Sequence, residues 1–255
     1  MNIKKQFMLP MLLAVTCFVA PAVQAVPVDI ELALLIDGSG SSSDADYVLQ
    51  RDAYVTELTH FYNDHTYFKD ADIAISIYQF GEYPIHVFSE TFIDGYDATM
   101  GFDSMISALS SMTRPAWTGP LGDQFQNHTA IGDTVELASA ELLSNLFEGN
   151  TLLVDVPTDG LNNWGINPTT ASNAAIAAGI DQINCLGIGV GNCEWNPSAP
   201  NGYDWMAASF DDFGAVLHEK LHTEVDVPEP ASLALFGLGL VGLGFSCRKK
   251  KAMCA

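Results

Sequence analysis

The sequence predicts an α/β domain: a doubly wound, mainly parallel sheet with one antiparallel edge strand and helices on both faces. Three observations predict it. Apolar runs at residues 30–36 and 152–156 are nearly continuous, as in parallel strands covered on both sides. Between such runs lie segments whose apolar residues recur at three-four spacing, the period of one helix face. Strand and helix patterns alternate along the chain, which is how this layered architecture reads in sequence.

The elements follow in order. The first strand, 30–36, ends at Asp37. Tyr47, Val48, Tyr54, Val55, Leu58 and Phe61 line one face of a helix. Residues 73–80 form the second strand. After the short turn 81–84, the mixed stretch 85–93 is placed as an antiparallel edge strand in a hairpin. Ile131, Val135, Ala138, Leu142 and Leu146 mark another helix, 152–156 the third parallel strand and 183–190 the fourth. Ser209 with Asp212 three residues on is a capping-box start for a last helix carrying Phe213, Val216, Leu217 and Leu221. No internal repeat or low-complexity stretch interrupts the series.

The two ends have a different character. Lys4 and Lys5, an apolar run over 7–20 and the small residues around Val23-Gln24-Ala25 have the layout of a secretory signal peptide, residues 1–25. At the other end, a Pro-rich breaker precedes about 17 apolar residues over 231–247 and the basic run 248–251, as in one transmembrane helix with a cytoplasmic cationic end. Pro228, Glu229 and Pro230, the apolar helix and the basic cluster together resemble the PEP-CTERM sorting signal, over residues 227–255. That resemblance implies export through the inner membrane of a Gram-negative bacterium, transient residence there through the C-terminal helix, and tail removal by an exosortase. The remaining 26–226 is long enough for one substantial domain. A G-x-G-x-x-G match at Gly237, Gly239 and Gly242 lies inside the apolar tail, with no strand before it, so it marks no dinucleotide site.

Six of the ten basic residues lie in the two end segments and only one carboxylate, Glu229, does, so the core is more acidic than the chain's net −21. Such a surface repels nucleic acid and anionic membranes and attracts cations, besides favouring solubility outside the cell. Of five cysteines, Cys185 and Cys193 fall in the core. In an oxidising compartment they either pair or remain a buried strand thiol and an incidental one, since pairing requires the chain to reverse between them.

The chemistry gathers at strand ends, where open parallel sheets bind ligands. Asp37 closes the first strand, and Ser39 and Ser41 are spaced so that a looping backbone can turn both hydroxyls toward the same point, with Gly38 and Gly40 permitting the path. Thr129 stands just before a helix in "NHTAIGD", and Asp159 follows the third parallel strand in "VDVPTDG". An oxygen-only set of hydroxyls and few carboxylates suits a hard cation such as Mg²⁺.

Asp37-Gly-Ser39-Gly-Ser41, Thr129 in Thr-Ala-Ile-Gly-Asp and Asp159 in Thr-Asp-Gly resemble the metal-ion-dependent adhesion site of von Willebrand factor A domains. The resemblance runs from about residue 28 to 224, and "RDAYVTEL", "TAIGDTVELASAELL" and "DGLNNWGINPTTASNAAIAAGIDQINCLGIGV" are similar to a bacterial subfamily of unassigned function. It implies a Rossmann-like fold and a Mg²⁺ ion, with Mn²⁺ or Ca²⁺ as alternatives. Ser39, Ser41 and Thr129 would hold it directly, and Asp37 and Asp159 directly or through water. It further implies a coordination position left for an acidic group of a protein or polysaccharide partner. Pro157-Thr158 before Asp159 departs from the subfamily pattern, which has smaller residues there.

Other chemistries find less support. A serine hydrolase needs G-x-S-x-G and a positioned base, whereas Ser39 lies in Asp-Gly-Ser-Gly-Ser and only His128 abuts the motif residues. His60 with His65, and His218 with His222, have metal-ligand spacings but no third ligand in sequence, and read as solvated. Asn127-His128-Thr129 spells a glycosylation sequon, a chance match in a bacterial chain. Trp117, Trp164 and Trp195 lie in loops, Trp164 close enough to Asp159 to rim the site. The expectation is therefore a secreted, non-enzymatic adhesion module acting at the cell surface or in the extracellular matrix. The alternative is a structural matrix protein associated with exopolysaccharide, metal optional.

Overall fold

The computed structural model describes residues 25–64, 68, 71–115, 125–189 and 193–225. The expected signal peptide up to residue 24 and the sorting segment 227–255, with its expected membrane helix, lie outside the described residues, as do His65, Trp117 and Val190. Among the described residues no helix is long and apolar enough to cross a membrane.

Six strands form one sheet: β1 Val26–Asp37, β2 Ile73–Phe80, β3 Pro84–Ile93, β4 Phe147–Thr158, β5 Gln182–Ile188 and β6 Asp204–Ala207. Their order is β3-β2-β1-β4-β5-β6. Every neighbouring pair is parallel except β2 and β3, which form the antiparallel edge hairpin. The five described α-helices are α1 Asp44–Asn63, α2 Phe102–Ser111, α3 Ile131–Leu142, α4 Pro168–Ala178 and α5 Phe210–Val225.

The pleat of β1 explains the two-sided burial. Ile30, Leu32, Leu34 and Ile36 face α1, α2 and α5, whereas Ala33 and Leu35 face α3 and α4. Adjacent residues must both be apolar for that to work, hence the unbroken run. The sheet is the doubly wound, mainly parallel one the sequence predicts.

Boundaries and small elements differ. β1 and β4 start earlier than their apolar runs because Val26, Pro27 and Val28 pair with Phe147, Glu148 and Gly149. That extension is partly exposed, so hydrophobic continuity does not mark it. The helix expected to reach Leu146 ends at Leu142, and Leu146 is exposed in the turn after it, where Ser144 and Asn145 favour turning. Val48, expected on the buried face of α1, is exposed, and the polar Gln50 is buried instead. Ser209 meets Asp212 through the side chains, with Oγ donating to Oδ2 at 3.0 Å.

Two helices and one strand had no place in the sequence reading. α2 buries Phe102, Met105 and Leu109 after a loop without strand signals. α4 is alanine-rich, so its periodicity is faint, although Asn167 caps it and Pro168 opens it. β6 has four residues, too few for a period to register. Cys185 and Cys193 are bridged, with Cα atoms 5.8 Å apart, and both are buried.

Candidate metal centre

β2 lies on one side of β1 and β4 on the other, so successive crossovers leave in opposite directions and their carboxyl ends frame a crevice. Asp37 ends β1 there, 5 % exposed. Its Oδ1 accepts from the Ser39 backbone N–H at 2.8 Å, and its Oδ2 accepts from the Thr158 hydroxyl at 2.7 Å. The Ser39 and Ser41 hydroxyls lie 3.0 Å apart, and Ser41 Oγ donates to Asp159 Oδ1.

Thr129 joins from a third loop. A Cβ built on Gly160 would stand 3.3 Å from Ser41 Oγ and 3.6 Å from Thr129 Oγ1, so both hydroxyls border the Asp159-Gly160 turn. The Thr129 and Asp159 loops are fastened by a reciprocal pair: Thr129 N–H donates to Asn163 Oδ1 at 2.8 Å, and Asn163 N–H donates to Thr129 O at 3.1 Å. All five residues singled out from the sequence thus meet around one crevice.

Gly38 and Gly40, which alternate with the aspartate and serines, act through space rather than unusual torsions, since neither has positive φ. A Cβ on Gly38 would sit 2.6 Å from Gln79 Nε2, and one on Gly40 2.6 Å from the Gln126 carbonyl oxygen. The loop is pressed against its neighbours, and only glycine fits.

Supporting residues went unnoticed in the sequence. Thr158, noted there as the Thr of Thr-Asp-Gly and, with Pro157, as a departure from the subfamily, but given no role, supplies one of the hydrogen bonds to Asp37. Arg114 Nη1 donates to the backbone oxygens of Ser39 at 2.8 Å and Ser42 at 3.1 Å, while Nη2 pairs with Asp44. Gln50 Nε2 donates to the Asp37 carbonyl at 3.3 Å. Arg114 had one available signal: it is among the few basic residues between the terminal segments. Gln50 carries no local pattern, because its partner is a backbone carbonyl, and the partner of Thr158 lies 121 residues away.

The Asp37 carboxyl is raised from 3.8 to about 6, chiefly by burial and further by the Asp159 charge, with the hydrogen bonds from Ser39 and Thr158 opposing both. Asp159 is likewise raised, chiefly by burial, against the hydrogen bond from Ser41. Arg114 directs its donors to backbone oxygens and Asp44, and its charge only weakly lowers Asp159. Among the described residues, two carboxyls and three hydroxyls around one crevice therefore lack a strong positive partner. The donor set fits a small hard cation, whose charge would relieve the repulsion.

Beside this crevice a cleft is lined by Asp46, Asp159, Ile188, Gly189, Ser209, Phe210 and Asp211. Trp164, half exposed, stacks on His128 with ring centres 4.2 Å apart. His128 Nδ1 also lies 3.3 Å from Glu82 Oε2.

Comparison with known proteins agrees with this architecture. Proximal thread matrix protein 1 from the mussel byssus, solved with a zinc occupied MIDAS motif, superposes with a TM-score of 0.57 at 20 % identity, over 80 % of this chain and 47 % of that one. The pilus adhesin SpaC from Lactobacillus rhamnosus GG gives 0.55 at 15 %, over 77 % and 30 %. A von Willebrand factor type A protein from Catenulispora acidiphila gives 0.53 at 16 %, over 75 % and 41 %. The chain thus spans less than half the length of each, and identities this low speak for the fold alone. No curated protein matches the chain. A PEP-CTERM protein-sorting motif matches residues 226–250, the signature of export and surface sorting in Gram-negative bacteria. Over residues 27–228 the chain matches, and belongs to, the family described as "Protein of unknown function (DUF1194)", here with a von Willebrand factor A-like fold and a PEP-CTERM motif.

Proposed function

We propose that the chain is an exported binding module that captures an acidic group of a protein or polysaccharide partner through a divalent cation at the β1–β4 crevice. The observation that carries this reading is the meeting of Ser39, Ser41 and Asp159 in one hydrogen-bonded series with Thr129 across Gly160. Ser39, Ser41 and Thr129 would hold the ion by their hydroxyl oxygens, with Asp37 and Asp159 contacting it directly or through water.

The bound ion, Mg²⁺ or alternatively Mn²⁺ or Ca²⁺, would supply an electrophilic centre for an incoming carboxylate. Thr158 and the Ser39 N–H keep the Asp37 carboxylate turned into the crevice, and Arg114 fixes the serine loop from behind. Because the hydroxyls are neutral, they leave much of a dication's charge unspent. No catalysis is part of the reading. The sorting motif supports processing by an exosortase, with the C-terminal segment held transiently at the inner membrane and the mature domain at the cell surface or in the matrix.

Adhesion of cells displaying the chain to matrix-coated surfaces, with and without a chelator, tests the proposal. Loss of attachment on chelation, restored by Mg²⁺ in the wild type and not in Asp37→Ala, is the expected result. Attachment indifferent to chelator would instead favour a structural matrix protein that associates with exopolysaccharide without metal.

A further inference from the structure

A second cluster of ligating side chains lies where α1 packs on α5, built from Glu57, His60 and His218. Glu57 and His60 are one turn apart on α1, so both project from the same face. His218 arrives from α5. Its Nδ1 lies 2.8 Å from Glu57 Oε2, and His60 Nδ1 lies 3.3 Å from the same oxygen. The three ligating atoms fall within 4.8 Å of one another.

Zinc bonds of about 2.0–2.1 Å in a tetrahedron place neighbouring ligand atoms roughly 3.3 Å apart, so this spacing needs little adjustment. Accessibility is graded in the same sense. The Glu57 side chain is 12 % exposed, whereas His218 and His60 are 45 % and 61 % exposed. A desolvated carboxylate forms the floor, and two imidazoles open to solvent form the rim through which an ion can enter. The His218 ring is held by its surroundings: Phe61 packs against it with ring centres 5.9 Å apart.

We infer that Glu57, His60 and His218 form a second metal site, distinct from the β1–β4 crevice, that takes Zn²⁺ or a similar imidazole-seeking transition ion. Two nitrogens and one oxygen suit Zn²⁺ and disfavour Mg²⁺, which prefers oxygen and its own waters. Three protein ligands leave the fourth position to water. The ion would clamp α1 to α5, and with α1 the helix that continues directly from the serine loop. The inference stands independently of the proposed function, since no residue is shared.

The test uses the untagged full-length chain carrying Asp37→Ala, so that zinc in the crevice does not contribute. Equilibrium dialysis in excess Mg²⁺ is expected to give one zinc per chain, and Co²⁺ to give the visible bands of a tetrahedral site. Adding His60→Ala, at an exposed helix position that leaves folding intact, or His218→Ala should weaken zinc binding at least about tenfold and bleach the Co²⁺ bands. Failure of the Asp37→Ala chain to retain zinc overturns the inference, as does retention unaffected by either histidine substitution. Either result would reduce the cluster to hydrogen bonds from imidazole to carboxylate.

Discussion

The Thr158 hydroxyl donates to Asp37 Oδ2 across 2.7 Å, joining the carboxyl end of β4 to that of β1. The two residues are far apart in sequence, and the bond holds the aspartate side chain where the serine loop folds over it. Replacing Thr158 by Val keeps the strand shape and removes the donor. Mg²⁺ affinity is expected to fall about 10–100-fold by titration calorimetry, the usual effect of losing an outer hydrogen bond to a ligand.

Mg²⁺ binding to the folded state should raise the melting temperature of the 26–226 domain. At a concentration of about 100 Kd the gain is about 2.7 kcal/mol, or roughly 5–10 °C for a domain of this size. Asp37→Ala should abolish the rise. An unchanged melting curve for the wild type at saturating Mg²⁺ would remove the ion from the account.

Acid should favour the metal-free domain at Asp37. Its carboxyl is raised from 3.8 to about 6 on folding, so ionisation costs stability: the penalty is absent below pH 3.8, grows through that interval and is complete above about pH 6. Its full size is about 3 kcal/mol. Without metal, Asp37→Asn should therefore be more stable than wild type at pH 7.5, with the difference closing below pH 4. Urea denaturation across that range measures it, and a constant difference would contradict the assignment.

Lys220 is fully buried between Asp155, 2.5 Å from its Nζ, and Glu224, with Asn184 donating to Glu224 at 2.6 Å. Lys220→Met leaves two buried carboxyls without their cation and should cost about 3–5 kcal/mol in denaturant midpoints at pH 8. Burial already pushes Glu224 up to about 7 despite the lysine, so the loss should shrink on acidification as that carboxyl takes a proton. A cost below about 1 kcal/mol would show that the cluster rearranges freely.

Much of this was legible in sequence because local rules governed it. β2 occupies 73–80 as read, since every residue of it is buried and its apolar run is broken only by Ser76 and Gln79. Asp37, Ser39, Ser41, Thr129 and Asp159 could be picked out because each sits at a strand or helix end in a short recognisable string. Thr158, Gln50 and Arg114 could not, because what they do depends on partners fixed only by the fold. The same holds for His218, which looked solvated beside His222 and instead meets Glu57, 161 residues away. Whether Cys185 and Cys193 pair likewise depends on where the fold brings the chain back, and they are bridged with Cα atoms 5.8 Å apart.

The direction of α5 has a bearing on how the molecule stands on a cell. Its first turn borders the Asp159 cleft, and its last turn reaches Asn184 near the start of β5, at the sheet's opposite pole. β1 likewise begins at that pole, where the Val26 N–H donates to Leu146 O. Whatever is fastened to the chain beyond Val225 is joined at the far end from the aspartates and serines.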